Sequence, residues 1–133
     1  MDCIFCKIIK GEIPSYTIYE DDIVKVFLDI QPSTNGDLLI IPKEHKVTIM
    51  DIDDDLMKHM HQVIKQLYPL LQKKLNCKGL TIVQNNDYGQ EIKHYHVHLT
   101  PRYETDELKH HFNNDSLRPL EEIYQQLTNE KEA

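Results

Sequence analysis

Read only as hydrophobic and polar positions, the chain is a series of short strand-like runs interrupted by one long helical stripe. Tyr16 to Tyr19 and Ile23 to Leu28 read as two strands joined by the turn Glu20-Asp21-Asp22. Pro32 closes the second, and Leu38-Leu39-Ile40-Ile41 forms a third that ends at Pro42. From Asp51 to Leu75, Met57, Met60, Ile64, Leu67, Leu71 and Leu75 recur every three or four residues, which predicts a helix laid on a sheet. Asp51, Asp53, Asp54 and Asp55 suit its positive end, and His59 and His61 fall on its solvated flank. Pro69 lacks the backbone donor and predicts a kink or break. Leu80 to Gln84 is a strand, Asn85 to Gly89 a turn, and the run from His94 to Leu99 a last strand antiparallel to it. At the start, Cys3 to Gly11 gives a helical turn or two closed by glycine. Beyond Glu104, Leu117, Leu120, Ile123, Tyr124 and Leu127 form one modest apolar helix face, and the final residues are expected to be disordered.

Composition narrows the class. A chain of 133 residues with 28% charged and 40% hydrophobic residues suits a single globular domain. The formal charge of −7 argues against a non-specific nucleic-acid or membrane binder, yet local amides and imidazoles can still hold one phosphate. No basic start followed by an apolar run marks a signal peptide, and no stretch is long enough to cross a membrane. Three cysteines, two of them in Cys3-x-x-Cys6, suit a reducing cytoplasm, with Cys77 left as an unpaired thiol.

The chemistry concentrates in His94-Tyr95-His96-Val97-His98. Alternation with Tyr95, Val97 and Leu99 puts three imidazoles on the opposite, solvent-facing side of the strand. A half-buried strand with incidental histidines is the plain alternative. Alternate strand residues lie about 7 Å apart, and His94 and His98 about 13 Å, so those two cannot share a metal with bonds of about 2.1 Å. Cys3 and Cys6 can be a redox pair, half of a zinc site or a coincidence. If they meet His45 at one end of this strand, His94 completes a closed Cys₂His₂ set, which would be structural. His96 and His98 are then free for other work. A neutral imidazole is nucleophilic near pH 7 without an activating base, and phosphoryl or nucleotidyl transfer is the chemistry it suits. Asp29 is either a turn-former or a ligand at a strand end.

Cys3-Ile4-Phe5-Cys6, Gly11 to Pro14, Tyr19 to Asp22, Phe27 to Pro32, Ile41 to His45, Gln84-Asn85-Asn86 and Gly89 to His98 stand in an order that resembles the histidine triad (HIT) family, in particular its Hint branch. The resemblance runs from Cys3 to about Arg102. It implies an α+β fold, a five-stranded antiparallel sheet with one long helix and a short N-terminal helix. Residues 1–103 would be the domain core, and residues 104–133 a partly helical extension packing on the domain or on the dimer. It further implies a homodimer that cleaves a purine nucleoside 5′-monophosphate from a phosphoramidate, acyl or nucleotidyl leaving group.

In that reading His96 attacks the α-phosphorus to give a nucleotidyl-histidine. His98, Asn85 and the Gln90-Glu91 segment contact the phosphate, and Asp29 holds the ribose hydroxyls. Phe5, Ile8 and Phe27 lie near the base, while Cys3, Cys6, His45 and His94 bind one structural zinc. The other readings are a nucleotide-binding regulatory module with negligible turnover, and a metal-dependent phosphohydrolase with His94 and His96 as ligands. The chain departs from the family's pattern at Asp37, where a histidine is common after glycine. It departs again at Glu91, where eukaryotic members carry a serine, and in a loop after Asn85 about two residues short.

Overall fold

The computed structural model describes residues 3–108 and 114–129. Five strands, β1 (Thr17–Glu20), β2 (Val24–Leu28), β3 (Leu38–Pro42), β4 (Gly79–Gln84) and β5 (Val97–Arg102), form one sheet in the order β1-β2-β3-β5-β4. Every neighbouring pair is antiparallel. Asp21 makes the first hairpin possible, because its Oδ1 accepts from the N–H groups of both Ile23 and Val24 at 2.8 Å.

Strand alternation gives the sheet two apolar faces. Val24, Val26, Leu38, Ile40, Val97 and Leu99 point toward the long helix α2 (Asp54–Leu75) and join its Met60, Val63, Ile64, Leu67 and Leu71 in the main core. Asp53 caps α2 by accepting from Leu56 N–H at 2.8 Å, and Asn76 ends it in the left-handed conformation at φ 58°. The helix starts three residues later than Asp51, which instead closes a separate 3₁₀ turn, Ile49–Asp51. Pro69 does not interrupt the helix. It sits on the exposed flank, where water can serve the carbonyl it leaves unpaired, while Leu67 and Leu71 keep the apolar stripe continuous.

The second face is covered too. The short helix α1 (Ile4–Ile9) lays Phe5 and Ile8 on Phe27, Leu39 and Ile41. Here the sequence reading needs correction: the histidine side of the last strand does not face solvent, since His94 is fully buried and His96 is 5% exposed. The strand also begins later, at Val97. His94 to His96 leave the ladder because Tyr95 N–H donates to the Lys46 carbonyl at 2.6 Å, which draws the chain toward the segment after β3. The C-terminal helix α3 (Leu120–Thr128) buries none of its residues, and Leu117, Leu120, Tyr124 and Leu127 stay exposed. The expected disorder of the last few residues falls largely outside the described ones.

Candidate active site and metal centre

Two sites share the approach to β5. In the first, Cys3, Cys6, His45 and His94 bring one ligand atom each within 4.8 Å of one another. Cys3 Sγ lies 3.3 Å from His94 Nδ1, Cys6 Sγ lies 3.3 Å from His45 Nδ1, and the two Nδ1 atoms are 3.2 Å apart. A tetrahedron with bonds of about 2.1 Å to nitrogen and 2.3 Å to sulfur has edges of about 3.4–3.8 Å, close to these separations. The tautomer fits as well. His94 Nε2 is 2.8 Å from the Pro42 carbonyl, which can only accept, so Nε2 carries the proton and Nδ1 turns a lone pair on the cluster. These donors could hold a metal ion. Burial, with Cys3 beside it, holds the Cys6 thiol up, and burial lowers His94 despite its bond to Pro42.

The second site is a cavity of about 640 Å³ against the same face of the sheet. Its floor contains a row across four strands, since Phe27 pairs with Leu39, Leu39 with His98, and His98 with Val83. Phe5, Ile8 and Ile13 wall the β2 side, with Asp29 at the end of that strand. Asn85, Gly89 and Glu91, from the segment that follows β4, line it as well. His96 opens onto this cavity. Its Nδ1 donates to the His94 carbonyl at 2.7 Å, which leaves a lone pair on Nε2. Burial lowers its pKa, and nearby His98 does the same; the His94 carbonyl, Asp29 and Glu91 pull the other way. The Phe5 ring meets His96 edge-on at 5.1 Å and His94 at 5.8 Å, so one side chain touches both sites.

Of the residues singled out from sequence, His96, His98, Asp29, Asn85, Glu91, Phe5, Ile8 and Phe27 all line the cavity. Gln90 does not line it: its amide donates to the Val47 carbonyl at 2.7 Å and its Oε1 accepts from Asp87 N–H, which fixes the loop. Asn86 is likewise engaged, with Ile49 N–H and Gln84, whereas Asn85 faces the cavity. Asp29 is a turn-former, its Oδ1 accepting from Gln31 N–H at 2.9 Å, and it also lines the cavity.

Sequence reasoning missed Thr100 and the use made of Asp37. Thr100 donates to the buried Asp37 carboxylate at 2.8 Å, and Ser33 N–H donates to its other oxygen at 2.9 Å. The Asp37 carbonyl accepts from Asp29 N–H at 3.0 Å, so this pair ties the Asp29 loop to β5. The signal for Thr100 was present, as it continues the period of His96 and His98.

The protein is thus an α+β scaffold whose five-stranded sheet floors a cavity lined by His96 and His98. A family model, the HIT domain, matches residues 10–105, and the chain belongs to this family. It is 45% identical over 106 residues to an uncharacterised HIT-like protein of Methanocaldococcus jannaschii, covering 78% of this chain and 81% of that one. It is 42% identical over 106 residues to the adenosine 5′-monophosphoramidase HNT1 of Candida albicans, covering 75% and 70%. A zinc-bound histidine triad protein of Mycobacterium smegmatis superposes with a TM-score of 0.77 at 34% identity, over 82% of this chain and 81% of that one.

Proposed function

We propose that this protein is a hydrolase that cleaves a purine nucleoside 5′-monophosphate from its leaving group through a covalent nucleotidyl-histidine at His96. One observation carries the reading: His96 is buried, its Nδ1 proton is committed to the His94 carbonyl, and the ring lines a nucleotide-sized cavity. His96 Nε2 bonds to the α-phosphorus as the bond to the leaving group breaks, and the leaving group takes that electron pair and a proton. Water then attacks the phosphorus, the phosphorus–nitrogen bond breaks, and His96 returns to its neutral form while the surplus proton passes to solvent.

Asp29 holds the ribose, Phe5, Ile8 and Phe27 flank the base, and His98 and Asn85 donate to the non-bridging oxygens. The phosphoramidase name of the Candida albicans relative supports this choice of reaction. Cys3, Cys6, His45 and His94 would hold zinc, which would serve structurally by tying α1 to the approach of β5; the zinc-bound Mycobacterium relative supports that identity. A metal-dependent reaction through His94 and His96 fits less well, because His96 Nδ1 bonds the His94 carbonyl and His94 Nδ1 is gathered with Cys3, Cys6 and His45 instead.

The functional unit is a cytoplasmic homodimer, in keeping with the exposed apolar side chains of α3. No described helix is long and apolar enough to cross a membrane. The test is turnover of adenosine 5′-phosphoramidate by His96→Asn. A fall of about a thousandfold or more, with the fold retained by circular dichroism, is expected. Undiminished turnover would overturn the assignment.

A further inference from the structure

The cavity is polarised along the row of strands that floors it. Phe27 and Asp29 belong to the β2 end of that row, Asn85, Gly89 and Glu91 to the segment that follows β4, and His98 sits between. With the nucleoside on the first side and His96 at the phosphorus, the leaving group departs toward the second. Charge is equally one-sided. Among the described residues that line the cavity there is no lysine or arginine, but there are three carboxylates, Asp29, Asp37 and Glu91.

Those carboxylates are not equivalent. Asp37 is 3% exposed and spends its oxygens on Ser33 N–H and Thr100, and Asp29 accepts from Gln31 N–H. Glu91 is exposed, and no hydrogen bond or ion pair engages its carboxylate among the described residues. The preceding Gln90 is anchored to Val47 and Asp87, which holds the backbone beside it. The nearest cation in sequence, Lys93, donates to the Asp87 carbonyl and does not line the cavity.

Building on the proposed hydrolysis, we infer that Glu91 is a specificity residue that selects leaving groups by charge, favouring cationic amines and rejecting anionic groups. In the selected reaction the bond from phosphorus to the amine nitrogen breaks as the bond to His96 Nε2 forms. The amine takes the electron pair and a proton from water, and its distant ammonium is the group that Glu91 attracts. A leaving group with a carboxylate tail, or with further phosphates, meets Glu91 as a like charge with no lysine or arginine among the described cavity-lining residues to offset it.

The experiment compares three adenosine 5′-phosphoramidates of matched length, made from 1,4-diaminobutane, butylamine and 4-aminobutanoate. For the natural sequence, kcat/KM for the cationic tail should exceed that for the anionic tail by about tenfold at low ionic strength, and less in high salt. Glu91→Gln should bring the ratio to within about threefold of unity, and Glu91→Lys should invert it. A natural protein without preference, or a ratio that survives Glu91→Gln, overturns the inference. The butylamine compound separates the two failures. If it is cleaved in a His96-dependent way while the charge ratio ignores Glu91, only the inference about Glu91 fails; if it is not cleaved, the proposed hydrolysis fails with it.

Discussion

His96 owes its readiness to neighbours more than to its residue type. The His94 carbonyl sets its tautomer, burial lowers its pKa, and the edge of Phe5 closes one side of it. Phe5 also meets Phe27 at 5.6 Å, so Phe5→Ala should cost about 3–5 kcal/mol of stability, read by denaturant titration. A second prediction concerns Asp21. Burial works to raise its pKa, but the N–H groups of Val24 and Ile23, His59 and the Tyr19 hydroxyl outweigh that and bring it from 3.8 to about 2. A carboxyl lowered by folding stabilises the native state above its unfolded value, and the contribution is lost as pH falls through the folded value. Stability should therefore drop between about pH 4 and pH 2, and less steeply in Asp21→Asn; equal slopes would contradict the role. Not every such role was legible beforehand. The three-residue reach from Asp21 to Val24 can be read locally, but Gln90 turns its amide to Val47, 43 positions away, and no local pattern records that.

At the scale of elements, periodicity located every strand and the long helix to within a few residues, because each buries a face with a fixed period. It failed where a tertiary contact overrides the period. The last strand starts at Val97 because Lys46 captures the Tyr95 N–H and the His94 ring packs with Cys3, Cys6 and His45. Pro69 shows the opposite case, a local breaker outvoted by the apolar stripe around it. Pro69→Ala should accordingly raise stability by about 1–3 kcal/mol, measured by thermal or denaturant unfolding, since it restores one helical donor on an exposed flank. An unchanged midpoint would mean that the helix bears no cost there.

Across the whole molecule, α1 converts what would be an open sheet face into a covered cavity. Its anchor is the four-donor cluster, which joins Cys3 to His94 across 91 positions of sequence. The resemblance made this grouping readable in advance; spacing alone left Cys3 and Cys6 with several possible roles. Chelation of the metal-loaded protein should lower its melting temperature by roughly 10 °C, and Cys3→Ser should melt low with or without chelator. A melting temperature indifferent to chelation would remove the cluster from the stability of the fold.

The same arrangement leaves His96 buried yet open to the cavity, and its chemistry can be caught directly. Adenosine 5′-phosphoramidate mixed with the protein, quenched during turnover without acid and digested, should yield an adenylyl adduct on the peptide that contains His96. Turnover with no adduct in the quench, or an adduct on another residue, would contradict catalysis through this histidine.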